Sequence, residues 1–452
     1  MKYMFSPAPA VRSTRRLAAR VSLFACLAAF AAAPASAQLS VVGGSKPLFG
    51  TGGILIGNDV SYDPAHGVYL VIAGYGEVWG IFVNQAGDPV SGAFRIGSAS
   101  AAGSFGHYPR SEYSEHANGG QGGFLVTWHQ TDGNMLGLHA VVVAYPNGVI
   151  SAERLVNDYA VGQTRPGAGT GIAYSSTSRR FMVAWTTGGG LPFGIQGRLL
   201  DPTGAPVGPV LQLANPLAAA DPAVAWNQAT DEFALFHTGW GTSAYVTFKR
   251  IRASDGAFQG APNTFGFTGG TFSAEIAVNA ATHHYVVGWS IAPGSLSAEL
   301  DENGTLLGNP RLLSTLIGTP TSLSLAYNPV SGTFLAVSEG VIGVNVLAAE
   351  LGSTGVPITT AVTASSGARN GSFVPRVTGR TDAKEWNISF ARDMTVITNQ
   401  VLATTSSQAA PPPPPPPPAP PDITVWRPAD GTWYALNRTS SGWTSTAPTP
   451  RC

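Results

Sequence analysis

The segments Ile172-Ala173-Tyr174, Phe181-Met182-Val183-Ala184-Trp185, Ile195-Gln196-Gly197-Arg198-Leu199-Leu200 and Leu211-Gln212-Leu213 follow one another with only loops and turn-forming residues between them. Each is too short to bury a helical face, and the stretches between them are rich in Gly, Ser, Thr and Pro, so each reads as a strand. The second is apolar throughout, as a strand covered on both faces must be. Asp201-Pro202-Thr203-Gly204 joins the third to the fourth, with Gly at the place where a hairpin turn asks for positive φ. The unit is a sheet of four consecutive antiparallel strands.

That unit is repeated. An aromatic residue opens the second strand at Tyr69, Phe124, Phe181, Phe233, Tyr285, Phe334 and Trp386, at intervals of 55, 57, 52, 52, 49 and 52 residues. Ahead of each stands a first strand: Val60-Ser61-Tyr62, Ser111-Glu112-Tyr113, Ile172-Ala173-Tyr174, Val224-Ala225-Trp226, Ile276-Ala277-Val278, Leu325-Ala326-Tyr327 and Val377-Thr378-Gly379. Its central residue is mostly small, which suits a crowded wall beside a central channel. A period near 50 residues with four strands per unit predicts an all-β, seven-bladed β-propeller, one blade per repeat. Hairpin turns before the outer strands are expected at 84–87, 145–148, 201–204, 301–304 and 352–355.

The seventh unit has no fourth strand before a proline tract begins. Leu39-Ser40-Val41-Val42 stands in its place: Val42 lies 20 residues before Tyr62, much as Leu155 lies 19 before Tyr174. Residues 39–42 are therefore expected to close the ring as the outer strand of blade seven. Closure by an N-terminal strand removes open edges that would otherwise pair with other chains.

Residues 1–37 read as an export signal, with Lys2, Arg12, Arg15, Arg16 and Arg20 ahead of the apolar run 21–33 and the small-residue site Ala35-Ser36-Ala37. Removing them changes the balance from 25 basic and 25 acidic residues to 20 and 25. No basic stripe is left for nucleic acid, and no later stretch is apolar for long enough to span a membrane as a helix. Charged residues make up only 11% of the chain, a surface suited to neutral polar partners. With Cys26 in the signal, Cys452 is the remaining thiol, so no disulfide staples the fold. The expected product is a secreted or periplasmic monomer with no cofactor and no metal.

The expected organisation is a signal peptide over 1–37, a propeller over 38–403, a Pro-rich linker over 404–421 and a short hairpin-like segment over 422–452. Eight consecutive prolines, Pro411 to Pro418, make the linker a polyproline II spacer. Beyond it, Val425-Trp426-Arg427-Pro428 and Gly431-Thr432-Trp433-Tyr434 resemble the strand pair of FG-GAP or VCBS-type repeats of exported bacterial proteins. Polyproline stands where the calcium loop of those repeats would be, so the resemblance carries no calcium site. The body, with its "Ala-Tyr-Asn, then Phe-Leu-Val-x-Trp" pattern, similarly resembles exported bacterial propellers. That likeness implies fold and location and no particular activity.

Candidate ligand-binding residues are sought on the face formed by the loops that enter the inner strands and leave the second strands. His107 and Tyr108 enter blade two; His129 and Asp132 leave its second strand; Phe193 follows in blade three; His237 and Trp240 do so in blade four. His237 takes the position held by Trp128, Trp185 and Trp289 elsewhere, and a departure from a repeat on one face is where a ligand site shows. In the bland alternative, His237 is a tolerated edge residue and His107 a solvated one. Arg110 and Glu112, two apart on one inner strand, are expected to face the channel as an ion pair.

No nucleophile elbow, phosphate loop, zinc-spaced His pair or sialidase Asp box occurs in the sequence. The leading expectation is thus a non-enzymatic binding platform for an extracellular glycan or surface protein. There Tyr108, Phe193 and Trp240 would stack on sugar faces, with Asp132 and His129 on hydroxyls. A polysaccharide lyase would instead use His107 or His129 as base near Tyr108 and Arg110. A structural or adhesive surface protein would attach through the tail.

Overall fold

A computed structural model describes residues 38–50, 57–75, 77–97, 106–130, 137–158, 169–187, 194–214, 219–239, 244–267, 271–291, 294–313, 322–339, 345–365, 373–393, 395–406, 423–427, 432–439 and 442–446. Seven antiparallel sheets carry the repeat, each with four strands; six run in chain order from inner to outer, one of them with a short additional strand at Gly148–Val149, and the seventh takes Leu39–Gly50 as its outer strand. The inner strands are Asn58–Asp63, Gly106–Ser114, Thr170–Ser175, Ala219–Asn227, Thr271–Val278, Leu323–Asn328 and Phe373–Gly379. Each touches the inner strand of the next blade, and the seventh touches the first. The molecule is a seven-bladed β-propeller.

The repeat spacing has a direct structural cause. The residue closing each inner strand lies opposite the aromatic that opens the second: Tyr62 faces Tyr69, Tyr113 faces Phe124, Tyr174 faces Phe181, and Trp226 faces Phe233. Val278 likewise faces Tyr285, Tyr327 faces Phe334, and Gly379 faces Trp386. All seven second-strand aromatics have 0% exposure. Burial of each contributes about 1.5–3 kcal/mol, which makes this pair the anchor of every blade. Four pairs stack as tilted or edge-on rings, with centroids 4.8 Å apart for Tyr62–Tyr69 and 4.5 Å for Tyr174–Phe181. Blade seven differs because a Cβ on Gly379 would meet the Tyr327 carbonyl oxygen at 2.3 Å, so no side chain fits there.

Turn chemistry fixes both ends of the hairpins. After the inner strand, Asp63, Asn227, Asn279 and Asn328 accept a hydrogen bond from the backbone N–H two residues on, at 2.9 to 3.1 Å. Asn227 and Asn328 also donate from Nδ2 to carbonyls of the following blade, which ties turn to turn around the ring. Before the outer strand, Gly87, Gly204, Gly304 and Gly355 each donate to the carbonyl three residues back, as the sequence predicts.

The ring closes as expected. Leu39–Gly50 pairs antiparallel with Val396–Thr404, from Leu39 opposite Thr404 to Gly50 opposite Val396. The closing strand is longer than the predicted 39–42, because a shift in register after Val42 lets pairing resume at Lys46. Leu39 is 5% exposed and packs with Leu335, Trp386 and Leu402. The tail strands Ile423–Arg427, Thr432–Thr439 and Gly442–Thr446 form a three-stranded antiparallel sheet, one strand more than a hairpin. No helix among the described residues is long and apolar enough to cross a membrane.

Candidate functional site: the central channel

The inner strands of all seven blades line one cavity of about 470 Å³. Its walls are stratified by the repeat. One residue before the anchor, the wall carries Ala173, Ala225, Ala277 and Ala326 with Ser61, Thr378 and, in blade two alone, Glu112. Three residues before it lie Asp59, Arg110, Glu275 and Arg376, with Gly171, Ala223 and Ser324 between them. Four charged side chains thus share one level of the channel. At the turn end, Tyr62, Tyr113, Tyr174, Trp226 and Tyr327 form an aromatic rim.

Inner strands have an unpaired edge, and the channel residues supply partners for it. Asp59 accepts from the Ser111 N–H at 2.8 Å, and Ser61 Oγ donates to the Ser111 carbonyl at 2.8 Å. Arg110 Nε donates to the Thr170 carbonyl at 2.8 Å. Ser273 N donates to Asp221, Leu323 N donates to Ser273 Oγ, and Val377 N donates to Ser324 Oγ. Ser389 Oγ joins the last blade to Asn58 of the first at 2.7 Å.

Five residues before the anchor, the inner strands share a conformation. Gly57, Tyr108, Gly169, Asp221 and Ser273 all have positive φ, at 50° to 51° for the three that carry a side chain. Bulges in the pairing fall there in blades two, four and five. The twist brings each mouth residue against the next blade: a Cβ on Gly169 would meet the Asp221 Cα at 2.9 Å. Left-handed backbone at non-glycine residues costs energy and is concentrated at sites whose surroundings enforce it.

Charge in the channel is only partly compensated. Arg376 Nη1 forms a short charge-assisted hydrogen bond with Glu275, two blades away. Burial nevertheless outweighs Arg376 and Arg110 and raises the Glu275 carboxyl above its usual range. Burial does the same to Asp59, opposed by Arg110 and Arg376 on either side. Asp221 is raised by burial to about 6, and Glu112 by burial and the nearby Asp59 to about 8. Arg110 is lowered by burial and Arg376 to about 10 and stays charged at neutral pH. The expected Arg110–Glu112 pair does not form: alternation puts both on the channel side, but Arg110 turns to Thr170 and the level of Asp59. Glu112 has no hydrogen-bond or ion-pair partner among the described residues.

The loop residues singled out from sequence are placed as follows. His107 and His129 are register partners in blade two. The His129 ring is inside the protein at 0% exposure, with Nε2 at 2.8 Å from Thr170 Oγ1, so it supports the inner strand of blade three. Tyr108 is one of the positive-φ mouth residues and is half-buried. His237 is 2% exposed, and its Nδ1 lies 3.0 Å from the Thr238 carbonyl oxygen. It occupies the core position of the Trp it replaces. Asp132, Phe193 and Trp240 lie outside the described residues. Sequence reasoning missed Asp59, Asp221, Glu275 and Arg376. The signal was present: in a chain with 11% charged residues, 59, 110, 275 and 376 fall at one repeat position.

His237 makes a stability prediction. Burial lowers it to about 4, so the native state holds it neutral while the unfolded chain protonates near 6.5. Between those values the unfolded state binds more protons, and stability falls as pH falls, by up to about 3 kcal/mol. His237→Phe should remove that loss. Urea midpoints at pH 7 and pH 4.5 should converge in the variant by comparison with the parent; an unchanged difference would exclude His237 as the cause.

No protein-family model and no curated protein matches the chain. Among solved structures it is similar to Chaetomium thermophilum Raptor, with a TM-score of 0.53 at 8% identity, over 83% of this chain and 30% of that one. It is also similar to the Dos1 propeller, with a TM-score of 0.44 at 12% identity, over 80% of this chain and 96% of that one. The chain therefore spans under a third of the Raptor chain, and at such identities the likeness concerns the fold alone.

Proposed function

We propose that the chain is an exported, non-enzymatic binding platform whose ligand, a glycan or the surface of another extracellular protein, is engaged at the aromatic end of the central channel. The observation that carries this reading is the rim itself. Trp226, Tyr113 and Tyr327 are only half-buried where they surround a 470 Å³ cavity with small, polar walls. Rigid aromatic faces around a polar-walled cavity suit sugar rings, which present an apolar face and a polar edge. Export is supported by the charged start, apolar run and Ala35-Ser36-Ala37 site of residues 1–37. The resemblance to exported bacterial repeat proteins points the same way.

Incubating the purified protein with a panel of insoluble neutral and acidic polysaccharides should deplete it from the supernatant without releasing new sugar ends. Trp226→Ala with Tyr327→Ala should weaken retention roughly tenfold, the loss of about two aromatic contacts. Product release would refute the non-enzymatic reading, and undiminished retention by the double variant would refute the rim as the site.

A further inference from the structure

The interior of the channel carries unsatisfied groups of both signs. Arg376 is 9% exposed, and its Nε is buried with no hydrogen-bond partner among the described residues. Arg110, at the same level, spends only Nε on a protein acceptor among the described residues. One step nearer the rim, the half-buried Glu112 projects a carboxyl that no described residue pairs, on a wall otherwise built from Ala, Ser and Thr. Buried donors and acceptors are almost always satisfied in native proteins, and exceptions call for a ligand or a mechanism.

We propose that the channel binds a small zwitterion of amino-acid to dipeptide size, with its carboxylate on Arg376 and Arg110 and its ammonium on Glu112, facing the aromatic rim. This concerns the interior and goes beyond the glycan reading of the rim. A simple anion at the two arginines would sit among Asp59, Glu275, Asp221 and Glu112. A simple cation at Glu112 would leave the donors of Arg376 and Arg110 that no described residue takes without an acceptor. A zwitterion aligned along the channel meets the opposite charge at both ends. Arg110 and Glu112 are two residues apart on one strand, about 7 Å along the channel, which sets the spacing of the ligand's charges. The ammonium end would also lie near the ring faces of Tyr113, Trp226 and Tyr327, where cations are attracted.

The same arrangement makes binding release a proton. Burial holds Glu112 at about 8, with Asp59 the nearby like charge, so it is largely protonated at pH 7. An ammonium beside it favours the carboxylate.

The test is calorimetric titration of the full chain with ω-amino acids from glycine to 6-aminohexanoate, beside the alkylamine and the alkyl carboxylate of each length. One or more of the middle-length zwitterions should bind at least about thirtyfold more tightly than either single-charge analogue, with a heat that changes with the buffer's ionisation enthalpy. Glu112→Gln, which breaks no hydrogen bond or ion pair among the described residues, should lower that affinity at least tenfold and abolish the buffer dependence. Arg376→Lys keeps the charge facing Glu275 but loses the planar fork that suits a carboxylate, and should weaken binding as well. Equal binding of amine, carboxylate and zwitterion, no binding of any probe at millimolar concentration, or an unchanged affinity in Glu112→Gln would each overturn the proposal. Polysaccharide retention reads the rim independently, so failure of one reading leaves the other standing.

Discussion

Replacing Arg376 by alanine is expected to lower folding stability by about 3–5 kcal/mol, far beyond the effect of a surface ion pair. The side chains of Arg376 and Glu275 retain 11% and 16% of their exposure, so neither charge can be handed back to water when its partner goes. Arg376 also stands beside Asp59, whose carboxyl is already raised by burial. Its removal therefore leaves two inward carboxylates poorer at once. Removing Glu275 instead, as Glu275→Gln, leaves Arg376 with Asp59 and should cost clearly less. The double change Arg376→Met with Glu275→Leu should recover most of the loss, because the paired charges go together and Asp59 keeps Arg110 beside it. Urea denaturation of the three variants checks this. A loss below about 1 kcal/mol in Arg376→Ala would show that channel water solvates the pair and that the charged level is no structural element.

That asymmetry explains why the channel was harder to read from sequence than the ring around it. The anchor pairs are local: Tyr174 and Phe181 are seven residues apart, face each other across one hairpin, and repeat with the blade. Apolar periodicity reports such contacts directly. The closing strand was legible for a related reason, since the distance from an outer strand to the next anchor is itself a repeat quantity. Its extension to Gly50 was not, because it depends on a bulge that re-establishes pairing after Val42. Arg376 and Glu275 are 101 residues apart and meet only because two blades curve toward each other across the channel. Nothing in the neighbourhood of either residue announces the other. Arg110 and Glu112 show the converse error, in which strand alternation gives the correct side but says nothing of the better partner on the adjacent blade.

The histidines illustrate a further limit. His237 was singled out because it breaks the Trp128, Trp185, Trp289 series, and that break is real. Its consequence is a buried neutral imidazole inside the blade rather than a group offered to a ligand. A substitution at a core position looks, in one dimension, the same as a substitution at a loop position one residue further on. Only the register that places position 237 opposite Thr247 decides between them.

Deleting residues 38–50 is expected to have the largest effect of any change to the ring. The deletion removes the whole partner of Val396–Thr404 and leaves that strand as an open edge containing Ile397 at 0% and Val401 at 3% exposure. It also withdraws Leu39 from the cluster with Leu335, Trp386 and Leu402. An unpaired edge beside newly uncovered apolar side chains is a template for pairing with another chain. The shortened protein should therefore melt at a lower temperature and sediment as oligomers where the parent sediments as one species. A synthetic peptide of residues 38–50 added in trans should restore both, since the groove it enters is defined by the backbone of a single strand. The exposed side chains Val41 and Val42, at 39% and 42%, add little burial themselves. Changing both to Thr should leave closure intact, separating the ladder from the hydrophobic contribution of Leu39. A monomeric deletion variant with the parent's melting temperature would mean that the six complete blades and the three remaining strands of the seventh hold the ring without a closing strand.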